Sequence, residues 1–337
     1  MKSLLLVTAL LAPAVFASTA GASVSPPQPS GAAPVGFTRT TLTDAFRSES
    51  IAGDIGPRRL APRVWYPAAA SGPAVATTLS PAEQASWEDS AGLERSALDG
   101  LGSAATADAP AAGGSHPVLL MSPGLGATTA FMGAHASDLA SHGFVVVGID
   151  VSGETQAVDT GEGVLAPMAP GLANASVASI ELRSRDMRFV LSRLGSLHGA
   201  GRLDLGRVGA FGHSNGGATT ATAMLADRRL RAGVNLDGAI FGAVAQRGLD
   251  RPFGTLHGAG PDAAYASLFE LRSHLRGPRP YAYFPRARHN SFTDFVWLVP
   301  QLGLDPEALE AGTIDPAAAV AKQTMLLRRF FGRYVAA

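Results

Sequence analysis

The chain has 337 residues, 46% of them hydrophobic, with 27 Lys and Arg balanced by 27 Asp and Glu and no cysteine. That length and apolar content suit one α/β domain of about 250 to 300 residues. Zero formal charge removes the global field that would draw nucleic acid or an anionic membrane surface, and small neutral substrates fit better. The lack of cysteine excludes disulfides, thiol catalysis, thiolate metal sites and a lipid-modified cysteine anchor.

Residues 1–22 combine Lys2, an apolar run from Leu4 to Phe16 and the small-residue pattern Ala20-Gly21-Ala22, which describe a secretory signal peptide. The run is too short for a membrane span, so cleavage near Ala20 or Ala22 and export to a secreted or periplasmic location are expected. Residues 23–35 are rich in Pro, Ser, Gly and Ala without apolar periodicity and read as a flexible, solvated linker. A single domain over 36–337 follows.

Thr38 to Asp44 and Leu60 to Tyr66 alternate as two strands, most simply a hairpin at the sheet edge. Residues 68–115 are rich in Ala, Gly, Ser and Asp, with a short helix around Pro81 to Leu93 carrying Trp87. A connection of this length reads as a lid or an insertion, with Trp87 packed on the body. Pro117 to Met121 and Phe144 to Ile149 are apolar throughout, so they are central strands of a β-α-β unit whose helix spans Ala130 to Ser141.

Val177, Ile180, Met187, Leu191 and Leu194 mark one face of a long helix. A strand through Phe211, a helix after Ser214 and a strand Ala232 to Leu236 come next. Phe253 to His257 and Pro280 to Phe284 supply the last strands around a helix near Ala263 to Leu275. Asp315 as N-cap and Pro316 in the first turn open the closing helix. The alternation predicts an α/β fold with a mostly parallel central sheet and helices on both faces.

Gly212-His213-Ser214-Asn215-Gly216 has the pattern of a nucleophile elbow, in which a serine sits on a strained strand-to-helix turn between small residues. In a chain with 39 glycines the pattern alone arises readily by chance, so its surroundings decide. Apolar residues precede it and Gly216, Gly217 and Ala218 follow, which makes Ser214 the candidate nucleophile. A serine hydroxyl needs a general base, a group that orients the base, and oxyanion donors, in chain order Ser, acid, His.

His289 lies in the loop after the last strand, the position for the base. Among the other histidines, His198 and His274 fall in or after helices, His257 precedes the loop of the base, and His213 beside the nucleophile is expected to point elsewhere. Asp237 and Asp262 both follow strands. Asp237 is favoured because it directly ends an apolar strand, whereas Asp262 has turn-forming neighbours. Asn215 and Leu125, the latter in Ser122-Pro123-Gly124-Leu125-Gly126, are the candidate oxyanion donors. Phe131, Met132, Ile240, Phe241, Phe292 and Phe295 are candidate acyl-pocket walls that could equally be core.

A rival reading takes Gly124 to Thr129 with Asp150 as a dinucleotide fingerprint, but Thr129 replaces the third glycine and Pro123 precedes the turn. No metal motif of His-Glu-x-x-His type appears, and no cofactor is expected.

Several pieces together resemble the platelet-activating-factor acetylhydrolase family of the plasma and type II kind, within the α/β-hydrolase fold. They are Trp65-Tyr66-Pro67, Ser122 to Gly126, Ala140 to Phe144, Gly212-His213-Ser214 with Gly216-Gly217, Leu236-Asp237, and His289 with Phe292, Asp294 and Phe295. Asn215 departs from the phenylalanine usual there. The resemblance implies Ser214, Asp237 and His289 as nucleophile, acid and base, and a calcium-independent hydrolysis of short-acyl or lipid-like esters. The alternatives are a catalytically silent binding module of the same fold and a cutinase-like polyester hydrolase. The tryptophan loop and C-terminal disulfide of the latter have no counterpart here.

Overall fold

The computed structural model describes residues 23–51, 54–160, 165–167, 175–197 and 199–337. The expected signal peptide, residues 1–22, and His198 lie outside them. The chain opens with Val35–Arg39 (β1), Leu42–Ile51 (β2), Asp54–Leu60 (β3) and Arg63–Pro67 (β4), then Pro81–Ala91 (α1), Thr106–Ala107 (β5) and Ser115–Ser122 (β6). Gly133–Ser141 (α2), Val145–Gly148 (β7), Ala157–Asp159 (β8), Leu165–Pro167 (β9) and Val177–Arg193 (α3) lead to the central pair, Arg202–His213 (β10) and Asn215–Ala226 (α4). Leu230–Leu236 (β11), Val244–Arg247 (α5), Phe253–Gly258 (β12), Asp262–His274 (α6), Tyr281–Phe284 (β13), Phe295–Gln301 (α7) and Pro316–Phe331 (α8) complete it.

Nine strands form one sheet in the order β13-β12-β11-β10-β6-β7-β4-β1-β5. From β7 to β13 every pairing is parallel, while β4 runs antiparallel to both β7 and β1. Consecutive apolar residues in the central strands serve both faces. Val118 and Leu120 of β6 join the core under α3, α4 and α6, whereas Leu119 and Met121 join the core under α2 and α8. Phe211 of β10 is fully buried in that second core, its ring centroid 6.0 Å from that of Phe331. The N-cap of α8 is as expected, with the Asp315 carboxylate accepting from Ala318 N at 2.8 Å.

Two expectations need correction. The edge hairpin is instead a β1–β4 pair interrupted by a separate two-stranded sheet, β2 with β3, and β5 extends the sheet beyond β1. Ionic contacts hold that insert: Arg47 and Arg58 both bind the buried Asp186 of α3. Alternation along the chain carries no trace of such pairs.

The stretch 23–35 is not a solvated linker. Val24 is buried and its N–H donates to Asp99 O at 2.8 Å, Ser25 exchanges two bonds with Gln301, and Ser30 and Gly31 bind Asp138 and Ser141 of α2. Single apolar anchors and polar clasps do this without any periodicity. The 68–115 region also docks through side chains, with Leu79, Trp87, Leu98 and Leu101 in a third cluster with Phe131, Val296 and Trp297.

Emptying the Phe211 site should cost about 3–5 kcal/mol. Chemical denaturation of Phe211→Ala checks this, and a loss under about 1 kcal/mol would contradict the packing described.

Candidate active site

At the end of β10 the backbone turns into α4 within one residue. Ser214 has φ 54° and ψ −121°, a conformation that costs a non-glycine residue about 1–3 kcal/mol and survives only when its neighbours enforce it. They do so through main-chain bonds: Ser214 N donates to Leu236 O at 2.9 Å, and Ser214 O accepts from Gly217 N at 2.9 Å and Ala218 N at 3.3 Å. Glycines make the approach physically open. A Cβ on Gly216 would collide with the Ser122 carbonyl, and one on Gly217 with the Asn235 side chain.

The neighbouring strand presents the candidate acid. Asn235 is buried and brackets the turn after β11, its Nδ2 donating to Gly238 O and its Oδ1 accepting from Gly238 N. Asp237 inside that bracket also has positive φ, 55°. Its Oδ1 accepts from Gly258 N at 2.7 Å and Tyr265 OH at 3.2 Å, and its Oδ2 meets His289 Nδ1 at 2.7 Å. Burial works against the charged carboxylate, but the His289 and Gly258 bonds hold Asp237 below the ordinary range. Asp262 begins α6, and the carboxylate bound to His289 is that of Asp237.

His289 starts a short 3-10 turn in the loop after β13. Asn290 is tied to Glu310 O and Leu309 O, and the Ser291 hydroxyl bridges Arg288 N and Ala311 O. Burial disfavours the charged imidazole, yet the bond to Asp237 and its negative charge outweigh this and raise the His289 pKa above its ordinary value. With Nδ1 committed to Asp237, Nε2 is the nitrogen left for proton transfer. The His289 side chain keeps 37% of its surface exposed and Ser214 is partly exposed, so both are reachable. Among the described residues the Ser214 hydroxyl makes no hydrogen bond, and such contacts often close only around substrate.

His213 does not point elsewhere. Its ring lies 4.5 Å from that of His289, and its Nε2 binds His289 O at 2.9 Å, so the residue before the serine supports the loop of the base. Burial, reinforced by the nearby His289, brings its pKa down to about 3, and the ring is neutral. A second support is Asp294, whose carboxylate accepts from Ala134 N in the first turn of α2 and whose N–H donates to Phe131 O at 2.7 Å. The sequence signal for Asp294 was its place in the resemblance beside His289 and Phe292. For His213 no periodic signal existed.

The loop Ser122 to Gly126 runs beside the serine: a Cβ built on Gly124 would stand 3.4 Å from Ser214 Cβ. Leu125 is partly exposed and Asn215 buried, and neither backbone N–H is engaged by another group among the described residues. Asp150, the ribose acid of the rival reading, is buried under this loop. It accepts from Thr128 and Thr129 and pairs with the buried Arg63, which gives it a structural occupation. Of the six candidate wall residues, Phe241 and Phe295 retain partial exposure. Phe131, Met132, Ile240 and Phe292 are buried core, Phe292 stacked edge-on against Phe284. Among the described residues no group of three or more His, Asp or Glu is arranged to hold a metal ion.

Residues 92–159 match the family described as platelet-activating factor acetylhydrolase, isoform II. A probable 1-alkyl-2-acetylglycerophosphocholine esterase of Arthroderma benhamiae is 28% identical over 218 residues, which cover 59% of this chain and 54% of that protein. Over these stretches the chain is similar to the platelet-activating factor acetylhydrolases. It spans about half the length of the curated relative it matches. The solved structure of a ferulic acid esterase from Streptomyces cinnamoneus superposes with a TM-score of 0.81 at 29% identity, covering 94% of both chains. With its mostly parallel nine-stranded sheet between helices, the chain has the α/β-hydrolase fold.

Strain at the elbow is measurable. Relief of about 1–3 kcal/mol in Ser214→Gly exceeds the roughly 0.5–1 kcal/mol entropic cost of a glycine. The variant should therefore melt at or above the temperature of Ser214→Ala, and a clearly lower melting temperature would show the turn to be unstrained.

Proposed function

We propose that the chain is a serine carboxylic-ester hydrolase acting on short-acyl or lipid-like esters. Ser214 attacks the ester carbonyl while His289 Nε2 takes the hydroxyl proton and passes it to the leaving alcohol. Asp237 orients the imidazole and stabilises its charged form, and the N–H groups of Leu125 and Asn215 hold the oxyanion. Water then cleaves the acyl-enzyme by the same route. The observation that carries this reading is the 2.7 Å Asp237–His289 bond beside a serine held at φ 54°. The names of both relatives agree in reaction, being esterases, and differ in substrate.

The remaining parts of the proposal are an exported protein, with residues 1–22 as its signal peptide, and a single domain over 36–337 on which 23–35 docks and 68–115 covers one side. Phe241 and Phe295 are the proposed wall residues with surface to offer an apolar acyl or alcohol group. The proposed mechanism calls on no metal or cofactor.

Ser214→Ala should abolish turnover of p-nitrophenyl acetate and butyrate and labelling by a fluorophosphonate probe. Retained turnover would sink the mechanism, and an unaltered protein that resists the probe would mark a silent binding module. Asp237→Asn should lower kcat by about 10⁴, while Asp262→Asn stays near the unaltered value.

The pH profile follows from the raised pKa of His289. A base must be neutral, and a raised pKa keeps the ring protonated to higher pH, so activity is lost as pH falls through that value. The acid limb of kcat/KM should have its midpoint above about 6.5. A profile flat to pH 5 would contradict the assignment.

A further inference from the structure

Beneath the loop Ser122 to Gly126 lies a charge that the proposed mechanism leaves unused. Arg183 of α3 is completely buried. Its Nε donates to Glu154 Oε2 at 2.5 Å, its Nη1 to Pro123 O at 2.8 Å and its Nη2 to Gly124 O at 3.2 Å. Glu154 is equally buried and grips the same loop through its main chain, its carbonyl accepting from Gly126 N at 3.1 Å. Two consecutive carbonyls are thus held by the Arg183 side chain, and the amide two residues later by the main chain of its ion-pair partner Glu154.

A buried ion pair seldom improves on well-packed apolar side chains, so stability alone gives this one little reason to exist. Arg183 stands between Ile180 and Met187 on the apolar face of α3, where a hydrophobic residue would continue the stripe. Its planar fork is spent on main-chain oxygens, a geometry lysine cannot reproduce.

The direction of the loop follows from this grip. The chain contains no cis peptide among the described residues, so the Gly124 carbonyl and the Leu125 N–H point oppositely across one planar unit. The carbonyl is drawn inward by Arg183 and by Ala127 N at 3.3 Å, which turns the Leu125 N–H outward. Gly124, in the same unit, adjoins Ser214 and His213, with a Cβ there 3.1 Å from His213 Nδ1.

We propose that Arg183, held by Glu154, is a positioning residue that aims the Leu125 N–H at the oxyanion. By placing its charge on the far end of the peptide it also strengthens that N–H as a donor. The proposal rests on the serine-hydrolase reading above.

The test uses two variants of the full chain. Arg183→Lys keeps the charge without the fork, and Arg183→Met with Glu154→Gln removes both charges without stranding a buried carboxylate. On p-nitrophenyl butyrate, folded variants should lose about 10- to 10³-fold in kcat while KM stays within about threefold. Affinity for phenylboronic acid, whose adduct carries the tetrahedral oxyanion, should fall in step with kcat/KM, and the acid limb set by His289 should not move.

In the unaltered enzyme the Leu125 amide proton should shift downfield when phenylboronic acid binds, a readout that can still overturn the proposal if neither variant folds. A folded variant with kcat within about threefold of the unaltered enzyme, or a Leu125 amide indifferent to the boronate, would overturn the proposal. If Ser214→Ala abolishes activity in the same assay, such a result defeats the role of Arg183 alone. If the unaltered chain shows no Ser214-dependent turnover, the reading beneath it fails.

Discussion

The approach of the first turn of α4 to the end of β6 is the constraint on which the site depends. The Ser122 carbonyl lies so close to Gly216 that no Cβ fits between them, and Gly212 is similarly confined by Gly216. Because these backbones touch, the chain reverses from strand to helix within Ser214, and the loop after β6 must pass directly beside the serine. Asp237 arrives by the same logic on the adjacent strand, since Leu236 O binds Ser214 N and Asp237 is the next residue.

Strain appears at two of these places, Ser214 and Asp237, both with positive φ. In each case a buried partner bears it: main-chain bonds to α4 and β11 for the serine, and the Asn235 side chain for the aspartate. The same economy recurs in the loop of the base, where His213, Asp294 and the contacts of Asn290 and Ser291 fix His289 from several elements. Asp237, His289 and Ser214 therefore share one frame built on the carboxyl ends of the parallel strands.

How much of this could be read from the sequence depends on the kind of force involved. Central strands such as Pro117 to Met121 announce themselves because burial on two faces leaves no polar residue in the run. The candidates Ser214, Asp237 and His289 are proposed from the sequence because each lies beyond the carboxyl end of a strand, although the strand before His289 is the largely exposed edge strand β13. The hairpin β2–β3 was not, since Arg47, Arg58 and Asp186 are far apart in sequence and their pairing has no period. His213 was misread because the residue before the serine can turn either way, and only the distant His289 carbonyl decides. Val24 shows the same limit in miniature. Arg183 did leave a trace: a charge interrupting the stripe of Ile180 and Met187, which a helical wheel displays but amphipathicity alone treats as noise.

The third apolar cluster lends itself to evolutionary change. Trp87, Phe131 and Phe295 meet edge to face, with centroids 4.9 and 5.2 Å apart, in a cluster distinct from the two cores that flank the sheet. The loop that carries His289 is tied to this cluster by Asp294, whose N–H donates to Phe131 O and whose carboxylate accepts from Ala134 N. Both cluster-side partners are main-chain groups, so side chains there can be exchanged while these bonds persist. A lineage carrying this architecture can thus repack one small aromatic patch without renegotiating the frame that holds Ser214, Asp237 and His289.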